Sequence, residues 1–125
     1  MEEKKLKILI VEDEVIIAMR LELFFQRRGF EVIGAVTTGE DAITKALSEK
    51  PDVVMMDINL RGNLSGLDAG EAIHKEIAIP IIFVTGYSDE VLRERANKLN
   101  PLGYFMKPIN MYELISALNK LDSKK

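Results

Sequence analysis

Five side chains of this sequence could together do chemistry that none of them does alone. Glu12 and Asp13 follow the apolar run Ile8-Leu9-Ile10-Val11, and Asp57 ends the run Val53-Val54-Met55-Met56. Thr85 ends Ile81-Ile82-Phe83-Val84, and Lys107 follows Tyr104-Phe105-Met106. Three carboxylates brought together repel, so one must take a proton or a cation must be bound. An all-oxygen donor set without His or Cys suits Mg2+, which keeps several waters and pairs with phosphate oxygens. An ion on Glu12, Asp13 and Asp57 would leave coordination positions open to a phosphoryl group. Lys107 would neutralise that group's remaining charge, and the Thr85 hydroxyl would bond one of its oxygens. Asp57 would be the nucleophile, forming an aspartyl phosphate.

Each residue also has a plainer reading. Glu12 and Asp13 would suit a helix N-terminus, Asp57 an Asx turn, Thr85 a turn, and Lys107 a solvated charge. Convergence of all five on one edge would decide for the site.

The elements that must position them alternate regularly. Leu6–Val11 predicts a first strand, followed by a helix with apolar positions at Val15, Met19 and Leu23 and at Ala18, Leu21 and Phe25, closed by Gly29 at C′. Glu31–Val36 predicts a second strand. Thr38-Gly39-Glu40-Asp41 resembles a capping box for a helix burying Ala42, Ile43, Ala46 and Leu47, stopped by Pro51. Val53-Val54-Met55-Met56 is a continuous apolar run, as a central strand buried on both faces requires, and it delivers Asp57 at its end. After a loop from Asn59 to Leu67, Asp68 and Glu71 are expected to cap a short helix with Ala72, Ile73 and Ile77. Pro80–Thr85 predicts a fourth strand, and Ser88 is expected to cap a polar helix with Val91, Leu92, Ala96 and Leu99. Leu102–Met106 predicts a fifth strand; Asn110 and Glu113 would then cap a last helix with Leu114, Ile115, Leu118 and Leu121. Five strand–helix units call for a doubly wound parallel α/β sheet with right-handed crossovers and helices on both faces. In such a sheet ligands sit beyond the carboxyl ends of the strands, where all five residues fall.

The chain has 125 residues, expected to form one domain with a single sizeable core. Its 47% hydrophobic and 30% charged residues are ordinary for a soluble globular protein. The sequence has no membrane-length apolar run or signal-peptide pattern, and Met1-Glu2-Glu3-Lys4-Lys5 reads as a solvated leader. A net charge of −3 argues against nucleic acid as a direct partner. The lack of cysteine excludes disulfides and thiolate metal sites and is compatible with a cytoplasmic location. His74 reads as a surface residue, Arg27-Arg28 as cations suited to a helix end, and Met55, Met56 and Met106 as packing.

Four segments in order carry a resemblance: Ile8-Leu9-Ile10-Val11-Glu12-Asp13-Glu14, Val53-Val54-Met55-Met56-Asp57, Ile82-Phe83-Val84-Thr85-Gly86 and Tyr104-Phe105-Met106-Lys107-Pro108. Over about residues 6–121 the chain resembles a response-regulator receiver domain of two-component signalling. The resemblance implies a flavodoxin-like (βα)5 fold with strand order 2-1-3-4-5. It also implies that Asp57 accepts a phosphoryl group from a histidine kinase or phosphotransfer protein. Glu12, Asp13, Asp57 and the backbone carbonyl of Asn59 would bind Mg2+, or Mn2+ in its place. Thr85 and Tyr104 would be a switch pair, Lys107 the phosphate-pairing cation, and Lys107–Pro108 a cis peptide. Asn59 and Tyr87 would lie where dephosphorylation is tuned, and the domain would catalyse only its own phosphorylation and dephosphorylation. The fourth helix, fifth strand and fifth helix would present the face for a downstream protein partner, with Arg93, Arg95 and Lys98 as candidate contacts. The resemblance is compatible with a monomer or a weak phosphorylation-dependent dimer.

Leu60-Arg61-Gly62 and Ser65-Gly66 depart from the family's usual Met-Pro and Asp-Gly in a slightly longer loop. No output domain is expected after the fifth helix, and Lys120, Lys124 and Lys125 read as a solvated end; a stand-alone receiver and part of a longer chain both fit. The alternative is a pseudo-receiver that binds a protein partner without phosphorylation. A haloacid-dehalogenase-like phosphatase is disfavoured because Asn59 stands where that class needs its acid. A flavin module is disfavoured because Glu12-Asp13-Glu14 would repel phosphate.

Overall fold

In a computed structural model, residues 5–122 are described; Met1–Lys4 of the leader and the terminal Lys124 and Lys125 lie outside them. The elements run β1 (Lys7–Val11), α1 (Val15–Arg27), β2 (Glu31–Val36), α2 (Gly39–Glu49), β3 (Val53–Asp57), α3 (Gly66–Glu76), β4 (Ile81–Thr85), α4 (Glu90–Asn97), β5 (Gly103–Met106) and α5 (Met111–Asp122). All strand pairs are parallel and the order is β2-β1-β3-β4-β5. The order reverses between β1 and β3, so their carboxyl ends bound the crevice in which open α/β sheets place ligands.

The strands explain their own composition. Ile8, Ile10, Val53, Met55, Ile82 and Val84 pack with Leu21 and Phe25 of α1 and Leu114 and Leu118 of α5. Their alternates Leu9, Val11, Val54, Met56, Ile81 and Phe83 pack with Ala42 and Ala46 of α2, Ala69 and Ile73 of α3 and Ala96 of α4. Successive side chains point to opposite faces, so a strand covered on both sides must be apolar at every position. That is why no period-2 pattern marks them.

Capping is where local expectation and structure part. Thr38 Oγ1 accepts from Asp41 N, one half of the box expected at α2. α3 begins at Gly66, three residues earlier than Asp68 as its cap would imply. Its N-cap is Ser65, whose hydroxyl accepts from Asp68 N while the Asp68 carboxylate accepts from Ser65 N, a complete capping box. Glu71 plays no part there; it pairs with Arg95. At α4 the cap is Asp89, not Ser88, because one carboxylate oxygen accepts from both Val91 N and Leu92 N. At α5 Asn110 Oδ1 accepts from Tyr112 N and Glu113 N. On α1 only Ala18, Leu21 and Phe25 are buried; Val15, Met19 and Leu23 are exposed, since a helix turns only one side to the sheet. Gly29 closes α1 with a positive φ of 88°.

Gly66 shows how tightly α3 is set against the site strand. Its N–H donates to Ile58 O at 2.9 Å. A Cβ built there would fall 2.7 Å from the carbonyl carbon of Asp57 and 2.9 Å from Ile58 Cα, with the Asp57 carbonyl oxygen closer still. Backbone cannot yield as a flexible side chain can. Gly66→Ala should therefore destabilise the fold by about 3 kcal/mol or more in urea denaturation. Gly86→Ala, with nothing within 4 Å of its Cβ, serves as the tolerated control.

Candidate functional site

Three carboxylates meet at the carboxyl ends of β1 and β3. Glu12, Asp13 and Asp57 each offer an oxygen within 4.8 Å of the others. Glu12 is 3% exposed and Asp57 4%, while Asp13 lies nearer the rim. Asp57 continues the parity of Val53 and Met55, so it faces the α1/α5 side of the sheet. Its Oδ1 accepts from Asn59 N at 2.9 Å and its Oδ2 from Lys107 Nζ at 2.9 Å. Lys107 Nζ also reaches Glu12 Oε1 at 3.3 Å, and Glu12 Oε2 accepts from Glu14 N. The Asx-turn reading of Asp57 and the ion-pair reading are both realised, one on each oxygen.

Charge crowding shows in the proton affinities. Burial pushes the Glu12 carboxyl above its ordinary value, and the neighbouring Asp57 charge adds to this against the Glu14 N–H and Lys107. Burial alone would lower Lys107, but its bond to Asp57 and the charges of Asp57 and Glu12 outweigh it, and its pKa is raised. Among the described residues, Lys107 is the one amine bonded to two of the three acids. An all-oxygen, charge-excess donor set of this size fits a hard divalent cation such as Mg2+.

Thr85 is fully buried on the opposite parity, with Ile81 and Phe83. Its hydroxyl donates to Asn59 Oδ1 at 2.8 Å and accepts from Tyr87 N at 3.1 Å. Sequence order placed Thr85 at the right edge, but it contacts the site through the Asn59 side chain and not through Asp57 or Lys107. Tyr104 lies on the same face as Thr85, its hydroxyl buried without a hydrogen-bond partner among the described residues. Burial raises its pKa, and the Arg93 guanidinium sits 5.1 Å from the ring centroid. The Lys107–Pro108 peptide is cis.

Other expectations are redistributed. Arg95 is not a free surface contact: it pairs with Asp68 and Glu71 of α3. The Ser65 N–H and then Arg95 hold the Asp68 carboxyl below its ordinary value. His74 is exposed, Met55 and Met56 are buried, and Met106 is 40% exposed rather than packed. Arg28 lies over the Phe24 ring. Sequence reasoning missed two contacts. One is the Asn59 side chain on Thr85. The other is Arg61, whose N–H donates to Asp13 Oδ2 at 3.0 Å. Neither falls on a helix or strand period, so only their nearness to Asp57 in the chain could have marked them. A cleft of about 660 Å³ opens beside the acids, lined by Ile17 and Phe24 of α1, Met55, Val84 and Ile109.

The 2-1-3-4-5 sheet, with an acid cluster and a lysine at its switch point, is a doubly wound α/β module whose ligand edge is acidic. The model of the response regulator receiver domain matches residues 8–119, and the chain belongs to that family. It is 34% identical over 112 residues to the transcriptional regulatory protein PdtaR of Mycobacterium tuberculosis, covering 90% of this chain and 54% of that protein. It is 37% identical over 112 residues to the phyllosphere-induced regulator PhyR of Methylorubrum extorquens, covering 88% of this chain and 42% of PhyR. The chain thus spans about half the length of the curated relatives it matches. A CheY-like receiver domain protein of Methanospirillum hungatei superposes with a TM-score of 0.87 at 28% identity, over 96% of each chain. This is a receiver domain of two-component signalling. Among the described residues no helix is long and apolar enough to cross a membrane.

Glu12 supplies a test of the crowding. A carboxyl whose pKa is raised by folding stabilises the folded state below its unfolded value, and that contribution is lost as pH rises through the folded value. In metal-free buffer Glu12→Gln should therefore gain stability relative to wild type as pH rises from about 4.5 to neutrality. Urea midpoints measured across that range check this; a constant gap would contradict it.

Proposed function

We propose that residues 6–121 act as one receiver that accepts a phosphoryl group on Asp57 and signals through α4, β5 and α5. The observation that carries this is the state of the Asp57 carboxylate: buried, held on both oxygens, and crowded by two more acids. A carboxylate so oriented attacks along one direction, and phosphoryl transfer asks chiefly for positioning and charge stabilisation. An Asp57 oxygen forms the bond to phosphorus as the donor's N–P bond breaks. The donor imidazole leaves neutral, its second nitrogen keeping a proton. Lys107, already on Asp57 Oδ2, is placed to follow the charge onto the phosphoryl oxygens. Glu12, Asp13, Asp57 and the Asn59 carbonyl would hold Mg2+ (or Mn2+), which when bound offsets the charge of the carboxylates and the phosphoryl group.

The donor would be a histidine kinase or phosphotransfer protein. The exposed apolar residues Ile16 and Met19 lie on α1, the helix whose Ile17 and Phe24 line the cleft, and would offer it a surface. For output, Thr85 would exchange Asn59 Oδ1 for a phosphoryl oxygen and so bias the position of Tyr104 on the same face. Arg93 and Lys98 remain candidate contacts for a protein partner there, in a monomer or a weak phosphorylation-dependent dimer. That PdtaR and PhyR are named as regulators supports a regulatory output.

Intact mass after incubation with a small acyl phosphate tests the reading. Wild type with Mg2+ should gain one phosphoryl group, Asp57→Asn none, and Lys107→Ala far less than wild type. Tyr104→Ala should keep the adduct. An adduct that persists in Asp57→Asn would move the acceptor elsewhere.

A further inference from the structure

Each acid of the cluster has a cation, but not the same one. Lys107 contacts Glu12 and Asp57. Asp13 is met instead by Arg61, whose Nε lies 3.6 Å from Asp13 Oδ2. The Arg61 N–H donates to that same oxygen, so backbone and guanidinium converge on one lone-pair region. Arg61 is 81% exposed and Asp13 11%, so the guanidinium stands at the open side of the cluster, where a hydrated ion must enter. Gly62 follows with φ of 101°, a left-handed backbone conformation that glycine takes without strain.

We infer that Arg61 is a tethered counter-cation that competes with the divalent ion for Asp13 and so sets the metal affinity of the site. The inference rests on the metal-dependent phosphoacceptor reading above. A dication binding through Asp13 must displace the guanidinium or bear its repulsion, whereas the backbone N–H can stay with either arrangement. The pair is solvated, so its effect is modest and screened by salt. Arg61 is thereby a specificity-determining residue that raises the Mg2+ concentration at which the site fills.

Isothermal titration of the metal-free protein with MgCl2 tests this without any phosphoryl donor. Arg61→Ala should bind Mg2+ roughly two- to five-fold more tightly than wild type in low salt. The gain should shrink in about 0.5 M KCl, where screening is short-ranged. Arg61→Lys, which keeps the charge, should fall between the two. Arg27→Gln removes an equal charge at the far end of α1, on the opposite edge of the sheet, and should bind as wild type does. Equal affinity in Arg61→Ala and Arg27→Gln, or weaker binding in Arg61→Ala, would overturn the inference and leave the metal reading standing. No Mg2+ binding by the wild type would overturn both.

Discussion

Electrostatic crowding at the carboxyl ends of β1 and β3 is the constraint on which the rest of the structure depends. Two nearly buried acids share one lysine, and a third at the rim is left to an exposed arginine. Like charges held this close oppose folding unless the surroundings compensate. The compensation is visible: the Glu14, Asn59 and Arg61 N–H groups each donate to one of the three carboxylates. The two apolar layers on the sheet hold the strand ends in place against the repulsion. A site held in this condition favours added positive charge, which is the condition the proposed function draws on.

The path away from Asp57 follows strand parity. Asp57 faces α1 and α5, whereas Thr85 and Tyr104 face α2, α3 and α4. Under the proposed switch a signal would have to cross the sheet edge, and the Thr85 hydroxyl, donating to Asn59 Oδ1, is one bond that spans it. The same loop leads into α3 through the Ser65–Asp68 capping box, and Asp68 in turn pairs with Arg95 of α4. These contacts join the site to the proposed readout helix by a second route. The Tyr104 hydroxyl on that face has no hydrogen-bond partner among the described residues, and Arg93 lies against its ring.

The order and type of all ten elements were legible because the central strands carry short apolar runs between turn residues and the second strand is rich in β-branched residues. Asp57 and Lys107 were legible because they end or follow such runs. What was hidden depends on contacts between residues far apart or off any period. Ser65 and Ser88 are both plausible caps, and only the three-dimensional reach of Asp68 and Asp89 decides which starts a helix. Val15, Met19 and Leu23 form an apolar stripe as regular as Ala18, Leu21 and Phe25, yet the sheet accepts one stripe alone. Arg95 looks like a solvated charge until α3 brings Glu71 beside it. Arg61 sits in a loop whose conformation composition does not specify.

On the proposed reading the cluster carries an excess of negative charge that a divalent cation relieves. The urea unfolding midpoint as a function of Mg2+ concentration, in wild type and in Asp57→Asn, tests this most directly. A ligand that binds only the folded state should stabilise wild type by about 1.4 kcal/mol once Mg2+ reaches ten times its dissociation constant. Asp57→Asn, with one acid removed, should respond less. A wild-type midpoint independent of Mg2+ would contradict the claim.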